Sequence, residues 1–215
     1  MTKIQLSPEE MQLVTNSEWI LTKHRIIDKV YHLFGSLSDQ MQLYLQEKNG
    51  LYPSGLLQFA PKISKGEQYE ALPYVVLDYP RVFSKEDVFA VRSFFWWGNY
   101  FSITLHLKGK YREQYGRKIA AAMTENKLEG YYYSFSGGEF NFDLRGKNYQ
   151  RVNDIPEEKY AAMEQADFLL EGDRRPGFSV GDSPTHHQHR RDLAAASFGR
   201  DVEALHGRSC GLSAF

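Results

Sequence analysis

Apolar residues recur at helical spacing over the first fifty residues of the chain. Ser7, Pro8 and Glu10 have the spacing of a capping box with a proline at the first helical position, which predicts a helix start. A second start is predicted at Asn16 or Ser17, from which the helical pattern continues to Leu45. This segment is therefore expected to be a helical hairpin, or one long helix with a short leader.

The pattern becomes that of strands after residue 50. Residues 54–61 and 72–80 are short runs rich in apolar or aromatic residues and bounded by prolines, which predicts strands at sheet edges or strand ends. Residues 100–107 alternate strictly and predict the clearest strand. One of its faces would carry Phe101, Ile103, Leu105 and Leu107, and the other Tyr100, Ser102, Thr104 and His106.

Further helices are predicted between and after these strands. Ser84 and Asp87 stand at capping-box spacing, so a short helix is expected over residues 85–95. Residues 110–127 have helical spacing as well. Asp154 and Glu157 are predicted to cap a final helix that ends near Leu170.

The stretch "YYYSFSGGEFNFDL" at residues 131–144 predicts a β-hairpin. Gly137-Gly138 suits a two-residue turn, and counting outward from it pairs Tyr133 with Phe142 and Tyr132 with Asp143. One face is then apolar and must be buried, since each large apolar side chain would lose about 1.5–3 kcal/mol in water. The other, which we call the polar face, carries Tyr132, Ser134, Ser136, Glu139, Asn141 and Asp143.

These elements predict an α+β fold, in which helices pack on one face of an antiparallel sheet of about four or five strands. One domain is expected over 1–170, comprising a helical segment (1–50), a sheet region (51–153) and a helix (154–170). Residues 171–215 lack lysine and tyrosine and hold four of the seven histidines. They are expected to form a loosely ordered tail. The alternative is a segment joined to the domain or read in another frame.

Composition indicates an ordinary globular chain. Hydrophobic residues make up 42% and charged residues 25% of 215 residues, so metal or disulfide staples are not needed for a core. The net charge of −1 indicates no strongly charged partner. Cys210 is the one cysteine, there is no signal-peptide pattern, and no apolar run approaches the roughly 18 residues of a membrane span. The expected location is the cytoplasm.

The polar face is the candidate functional site, provided that the 100–107 strand lies in the same sheet. Hydroxyl, amide and aromatic groups there could hold a small polar ligand. The ligand-binding candidates are Trp97, Tyr100, Ser102, Thr104, Tyr132, Ser134 and Asn141. Catalytic candidates are His106, whose imidazole could act in acid–base chemistry, and the carboxylates Glu139, Asp143 and Asp78. The alternative is a solvated outer face without a ligand.

The aromatic stretch "SFFWWGNYF" at residues 93–101 adds to this surface. Gly98-Asn99 suits a two-residue turn, which would pair Trp97 with Tyr100 and Trp96 with Phe101. Phe95, Trp97 and Tyr100 would then lie on the polar side, where aromatic rings suit stacking on a base or a sugar. The alternative is that the helix predicted over 85–95 covers the cluster.

The sequence gives little support for a metal site, a cofactor site or nucleic-acid binding. His186, His187 and His189 are close in sequence but lack the partners of a closed metal site, so no metal site is predicted beyond adventitious binding. The chain has no Gly-rich nucleotide-binding motif, GxSxG, HExxH or CxxC, and no cofactor is expected. Basic residues over 108–151 interleave with glutamates and lack an RNA-binding signature, so nucleic acid is not an expected partner.

Three functions remain open from the sequence. The first is a non-catalytic binding or accessory module that holds a small polar ligand, or a protein, on its polar face. The second is a small acid–base enzyme, hydrolase-like, that uses His106 with Glu139 or Asp143. The third is an interaction protein that forms a homodimer through its N-terminal helices. The first is preferred, and a membrane is not expected as a partner.

Overall fold

The computed structural model describes residues 4–48, 52–125, 127–128, 130–134, 148–160 and 168–172. The helices are α1 (Pro8–Thr15), α2 (Ser17–Glu47) and α3 (Lys110–Thr124). The strands are β1 (Lys62–Tyr69), β2 (Leu72–Phe83), β3 (Val88–Trp96), β4 (Tyr100–Lys108), β5 (Tyr132–Ser134), β6 (Tyr149–Arg151) and β7 (Phe168–Gly172). Short 3₁₀ helices span Ser54–Leu57, Val152–Asp154 and Glu157–Lys159.

The N-terminal helices begin where the sequence predicts. The Ser7 hydroxyl accepts a hydrogen bond from the Glu10 backbone N–H at 3.2 Å, and the Ser7 N–H donates to the Glu10 carboxylate at 2.7 Å. These two bonds form the predicted capping box. Asn16 separates α1 from α2, which is unbroken for 31 residues. One long helix with a short leader is therefore confirmed.

The described strands form one antiparallel sheet. Their order is β1-β2-β3-β4-β7-β5-β6, so four long strands joined by successive hairpins are extended by three short ones. Helices α2 and α3 pack on the same side of this sheet. The predicted α+β class is confirmed, with an antiparallel sheet and helices on one face.

The main hydrophobic core lies between these helices and the sheet. Helix α2 buries one stripe of residues at spacings of three and four, comprising Ile27, Val30, Phe34, Leu37, Ser38, Met41 and Leu45. The side of the sheet that they cover is called the helix face. It carries Val75, Leu77, Phe89, Val91, Phe95, Leu105, Leu107 and Tyr133, with Phe101 and Ile103 packed alongside. The predicted helix-facing side of the 100–107 strand is thus confirmed.

The helix predicted over residues 85–95 is wrong, because this stretch leads into β3, an inner strand of the sheet between β2 and β4. The Ser84 hydroxyl accepts from the Asp87 N–H at 2.8 Å, and the Ser84 N–H donates to the Asp87 carbonyl at 2.9 Å. The hydroxyl that would cap a helix instead closes the turn between β2 and β3. The β-branched and aromatic residues that follow then favour a strand.

The predicted turn between β3 and β4 is also wrong by one residue. Trp96 pairs with Tyr100, so residues 97–99 form a three-residue connection in which Gly98 has a φ of +70°. Because the side-chain period of a strand is two, this shift changes the face of each aromatic residue in β3. Trp96 therefore lies on the face opposite Phe101, where the sequence had placed it beside Phe101.

Strand β5 has different partners from those of the predicted hairpin. It pairs with β6 on one edge and with β7 on the other, and Tyr132 lies opposite Arg151 and Glu171. Both edges are occupied, so the predicted pairs of Tyr132 with Asp143 and of Tyr133 with Phe142 are wrong. The rest of the predicted hairpin, residues 135–147, lies outside the described residues. The alternation itself is present, since Tyr133 is buried on the helix face and Tyr132 packs on the opposite face.

Three other elements differ from the predictions. The final helix does not extend to Leu170, because Phe168–Gly172 forms β7 and crosses the predicted boundary at residue 170. Residues 173–215 lie outside the described residues. Residues Ser54–Leu57 form a 3₁₀ helix rather than a strand, with Leu56 buried. Strand β1 was not predicted, since it is a charged edge strand without a buried residue.

The start of α3 gives a prediction about acid stability. Asp87 accepts a hydrogen bond from the Lys110 backbone N–H at 2.9 Å, and its carboxylate lies 3.1 Å from the Lys110 ammonium. The backbone hydrogen bond, followed by the ammonium, lowers the pKa of the Asp87 carboxyl below its ordinary value of 3.8. When a carboxyl has a lower pKa in the folded protein than in the unfolded chain, its ionised form stabilises the folded state. This stabilisation is fully present at pH values above the pKa of the unfolded chain, and it is lost as the pH falls through the pKa of the folded protein.

We therefore expect Asp87→Asn to weaken the pH dependence of stability on the acid side. The measurement is the free energy of unfolding in urea, taken from about pH 6 down to about pH 2. The neighbouring Glu86→Gln variant serves as the control and should retain the wild-type slope. Equal slopes for Asp87→Asn and wild type would contradict this role of Asp87.

Candidate functional site

The face of the sheet opposite α2 and α3 gathers most of the predicted site residues that the structure describes. Strand alternation and the observed register place Asp78, Tyr100, Ser102, Thr104, His106, Tyr132 and Ser134 on it. We keep the name polar face for this surface. Within it, Asp78, Arg92 and Thr104 lie side by side across β2, β3 and β4. Tyr132 and Arg151 are paired across β5 and β6.

Asp78 and Arg92 form a buried ion pair on the polar face. The Arg92 guanidinium donates through Nε to Asp78 Oδ1 at 2.5 Å and through Nη2 to Oδ2 at 3.0 Å. The side chains are only 10% and 14% exposed, so two parallel, charge-assisted bonds hold the pair in a fixed geometry. Asp78 is therefore positioned as a partner of Arg92, and the strand register separates it from His106 by two strand spacings and two residues along β4, roughly 12 Å.

Aromatic rings form a second hydrophobic cluster beside the ion pair. Its buried members are Phe94, Trp96, Tyr100 and Tyr149, with Tyr69, Leu72, Tyr74, Val76 and Tyr132 packed against them. All of these residues belong to strands. Tyr69 lies edge-on to Trp96 at 5.1 Å between ring centroids, and Trp96 lies edge-on to Tyr100 at 5.7 Å. Such edge-to-face pairs hold the rings in defined orientations.

Two hydroxyls lie between the ion pair and this aromatic cluster. Ser102 pairs across the strands with Phe94, and Thr104 pairs with Arg92. Ser102 is 3% exposed and Thr104 1% exposed, and neither hydroxyl has a hydrogen-bond partner in the part of the chain that the structure describes. A buried hydroxyl without a partner costs about 1–3 kcal/mol, so two of them side by side are unfavourable in the ligand-free protein.

The far side of the polar face is formed by β5 and β6. Arg151 donates through Nε to the Tyr132 hydroxyl at 3.0 Å, and its guanidinium lies 5.6 Å from the centre of the Tyr132 ring. This contact raises the pKa of Arg151 through the hydrogen bond to the tyrosine hydroxyl. Ser134 is buried and pairs with Tyr149 across the strands. This side of the face thus combines a cation, an aromatic ring and hydroxyls.

Not every predicted site residue lies on the polar face. Trp97 packs with the helix-face core, 6.3 Å from the ring of Phe95. Glu139, Asn141 and Asp143 lie outside the described residues, so the predicted acid–base partners of His106 remain predictions. His106 itself is on the polar face and is 8% exposed.

The sequence missed the residues that β3 contributes to this surface. Arg92 and Phe94 were assigned to a helix, and Trp96 was placed on the wrong face of the sheet. The nearly continuous apolar run from Val88 to Trp96, typical of a strand buried on both faces, was the available signal, but the capping-box spacing of Ser84 and Asp87 obscured it.

The described residues contain no group of three or more metal-ligating side chains that could hold an ion. The histidines His186, His187 and His189 lie outside them. Within the same ranges, no helix has the length and apolar character needed to cross a membrane. The polar face is therefore considered on the basis of its hydroxyls, its ion pair and its aromatic rings.

Comparisons with known proteins add nothing to this geometry. No protein-family model, no curated protein and no solved structure matches the chain.

Proposed function

We propose that this protein is a non-catalytic binding module that holds a small polar ligand on the polar face of its sheet. The observation that carries the proposal is the pair of buried hydroxyls, Ser102 and Thr104, which lack hydrogen-bond partners in the described chain. A ligand that hydrogen-bonds to both would offset a cost that the ligand-free fold carries. Binding sites commonly combine apolar walls with a few such convergent polar groups.

The neighbouring side chains indicate the chemistry of the ligand. The carboxylate of Asp78 already neutralises Arg92, so this part of the surface does not require a charged ligand. Trp96 and Tyr100 supply aromatic walls at one end of the hydroxyl pair. An uncharged molecule with a sugar or other flat ring and several hydroxyl or amide groups fits this combination.

The hydroxyls are covered by neighbouring side chains, so a ligand reaches them when those side chains move. In the register of the sheet, Arg92 of β3 lies opposite Thr104 on one side and Glu171 of β7 lies opposite it on the other, and Tyr132 of β5 lies beyond Glu171. Movement of the side chains around Thr104 would open a path to it without unfolding a strand. The proposed site is thus fully open only when a ligand is bound.

The location proposed for this activity is the cytoplasm. Its support is the single cysteine, Cys210, which excludes an internal disulfide and suits a reducing compartment.

Replacing the Ser102 and Thr104 hydroxyls separates their effect on ligand binding from their effect on stability. Thr104→Val and Ser102→Ala each remove a buried hydroxyl that lacks a partner, so the ligand-free protein should keep its stability or gain up to about 3 kcal/mol. The same variants should lose the rise in melting temperature that ligands from a screen of sugars and nucleosides give to the wild type.

Ser93 provides a matched control for this experiment. Its hydroxyl is also buried without a partner in the described chain, but it lies on the helix face. Ser93→Ala should therefore keep the full ligand-induced shift. The proposal is wrong if Ser93→Ala and Thr104→Val respond to the ligand alike, or if Thr104→Val strongly destabilises the ligand-free protein.

A further inference from the structure

Trp96 on the polar face is buried beneath tyrosine rings that come from two different strands. It is 1% exposed, although it belongs to the aromatic wall of the proposed ligand site. The Tyr69 ring lies edge-on to it at 5.1 Å between ring centroids, and the Tyr100 ring lies edge-on to it at 5.7 Å. A ligand ring that packs on Trp96 therefore has to take the place of a ring that is already there.

Tyr69 is the ring that the fold holds less firmly. It is partly exposed, whereas Tyr100 is 7% exposed. Tyr69 ends β1, an edge strand of the described sheet, and the register of β1 with β2 shifts between Gly66 and Tyr69. Tyr100 begins β4, an inner strand whose pairing with β3 has no such break. Movement of Tyr69 thus disturbs fewer backbone hydrogen bonds than movement of Tyr100 would.

The turn that follows Tyr69 is strained. Glu70 and Ala71 connect β1 to β2 with φ angles of +48° and +60°, a region that residues with a side chain adopt uncommonly. Hairpin turns of this kind ordinarily use Asn-Gly. Strain of this sort persists where the surrounding structure holds it, and here the Tyr69 ring packs on Phe94 at 5.5 Å as well as on Trp96. Release of the ring lets the turn relax, which lowers the cost of moving Tyr69.

Tyr74 belongs to the same hairpin but is held in place. A Cβ atom at Gly66 would lie 2.5 Å from the Tyr74 ring, so this ring lies directly against the Gly66 backbone. The same ring packs on Phe94 at 5.7 Å and on Tyr69 at 6.1 Å. Tyr74 is therefore a matched control for Tyr69, since both are partly exposed tyrosines of one aromatic cluster.

We infer, on the basis of the proposed function, that the Tyr69 ring occupies the place on Trp96 that the ring of the ligand takes. The ligand ring then matches a tyrosine ring in size, which is a single six-membered aromatic ring. Ser102 lies two residues along β4 from Tyr100, about 7 Å, and Thr104 lies two residues further. A sugar attached to the ring directs its hydroxyl groups along this line. A pyrimidine nucleoside combines these features.

Isothermal titration calorimetry of the full chain with uridine tests the inference. In the wild type, the apparent affinity is reduced by the small fraction of molecules in which the Tyr69 ring is displaced. Tyr69→Ala removes the ring and should bind uridine about tenfold more tightly than the wild type. Tyr69→Leu should also bind more tightly, and it provides the comparison if the alanine variant does not fold. Tyr69→Phe keeps a ring of the same size and should not show this gain.

Two controls separate the exchange of rings from a general loosening of the site. Tyr74→Ala should not show the gain in affinity, and ribose, which lacks the aromatic ring, should bind at least about tenfold more weakly than uridine. The inference is overturned if the wild type does not bind uridine, if ribose binds as tightly, or if Tyr74→Ala gains as much affinity as Tyr69→Ala. It is also overturned if neither Tyr69→Ala nor Tyr69→Leu gains affinity.

Failure of this inference and failure of the proposed function have different signatures. Another compound whose binding is lost in Thr104→Val, with no binding of uridine, would overturn the role of Tyr69 and leave the proposed function standing. Uridine that binds more tightly to Tyr69→Ala but is unaffected by Thr104→Val would support the exchange on Trp96 and contradict the hydroxyl pair as the ligand site.

Discussion

Phe34→Ala should lower the free energy of unfolding by about 3–5 kcal/mol. Phe34 is 2% exposed in the middle of α2, and its ring packs edge-on against Phe101 of β4 at 6.3 Å. Removing the ring creates a cavity between the helix and the sheet that neighbouring side chains fill only partly. Urea unfolding monitored by tryptophan fluorescence measures the loss.

The matched control on the same helix is Trp19→Ala. Trp19 is 48% exposed, so its removal should change the free energy of unfolding by no more than about 0.5 kcal/mol. Similar effects at the two positions would contradict the packing of the middle of α2 on the helix face.

Asp78→Ala should destabilise the protein by about 3–5 kcal/mol. The substitution leaves the Arg92 guanidinium, whose side chain is 14% exposed, without the carboxylate that accepts its two hydrogen bonds. An uncompensated charge in such surroundings costs far more than the pair contributes when intact. The thermal midpoint and the urea midpoint should both fall.

Replacing both members of the pair separates this cost from the contribution of the pair itself. Asp78→Leu combined with Arg92→Met removes both charges and keeps similar volume, so it should lose much less stability than Asp78→Ala. A double variant as unstable as the single one would show that something other than the unpaired charge determines the effect. It would also remove the reason for treating the Asp78–Arg92 ion pair as a neutral group at the edge of the proposed ligand site.

The elements predicted correctly are those whose signal is local and consistent. The capping box at Ser7 lies in a segment with no competing strand pattern, so α1 and the start of α2 follow directly from the sequence. In β4 the alternation is strict over eight residues, and the register observed in the sheet keeps it. Both faces of that strand were therefore assigned correctly.

The elements predicted wrongly are those whose local signal competes with pairing between distant residues. Ser84 and Asp87 form the expected side-chain hydrogen bond, but the residues that follow are taken up between β2 and β4 as a strand. Residues 168–172 have an apolar run that suits a helix or a strand equally, and pairing with β4 and β5 decides between them. Such contacts between distant elements are not contained in local spacing.

The candidate site could be predicted only where the strands that form it have a clear alternation of apolar and polar residues. Ser102, Thr104, His106, Tyr132 and Ser134 belong to strands whose alternation is clear, and the structure brings them to one face. Trp97 was misplaced by a one-residue error in a loop, and Arg92 was missed because its strand was taken for a helix. The ion pair that borders the hydroxyls could therefore not have been found from the sequence.

The tryptophan indole N–H signals test ligand binding on the polar face most directly. The chain has three tryptophans, and they report on three surfaces: Trp19 on the exposed N-terminal part of α2, Trp96 on the polar face and Trp97 beside the helix-face core. Titration of a ligand that stabilises the wild type, followed by two-dimensional NMR, should shift the Trp96 signal and leave Trp19 unchanged. Shifts at Trp19 or Trp97 with Trp96 unchanged would contradict binding at this face.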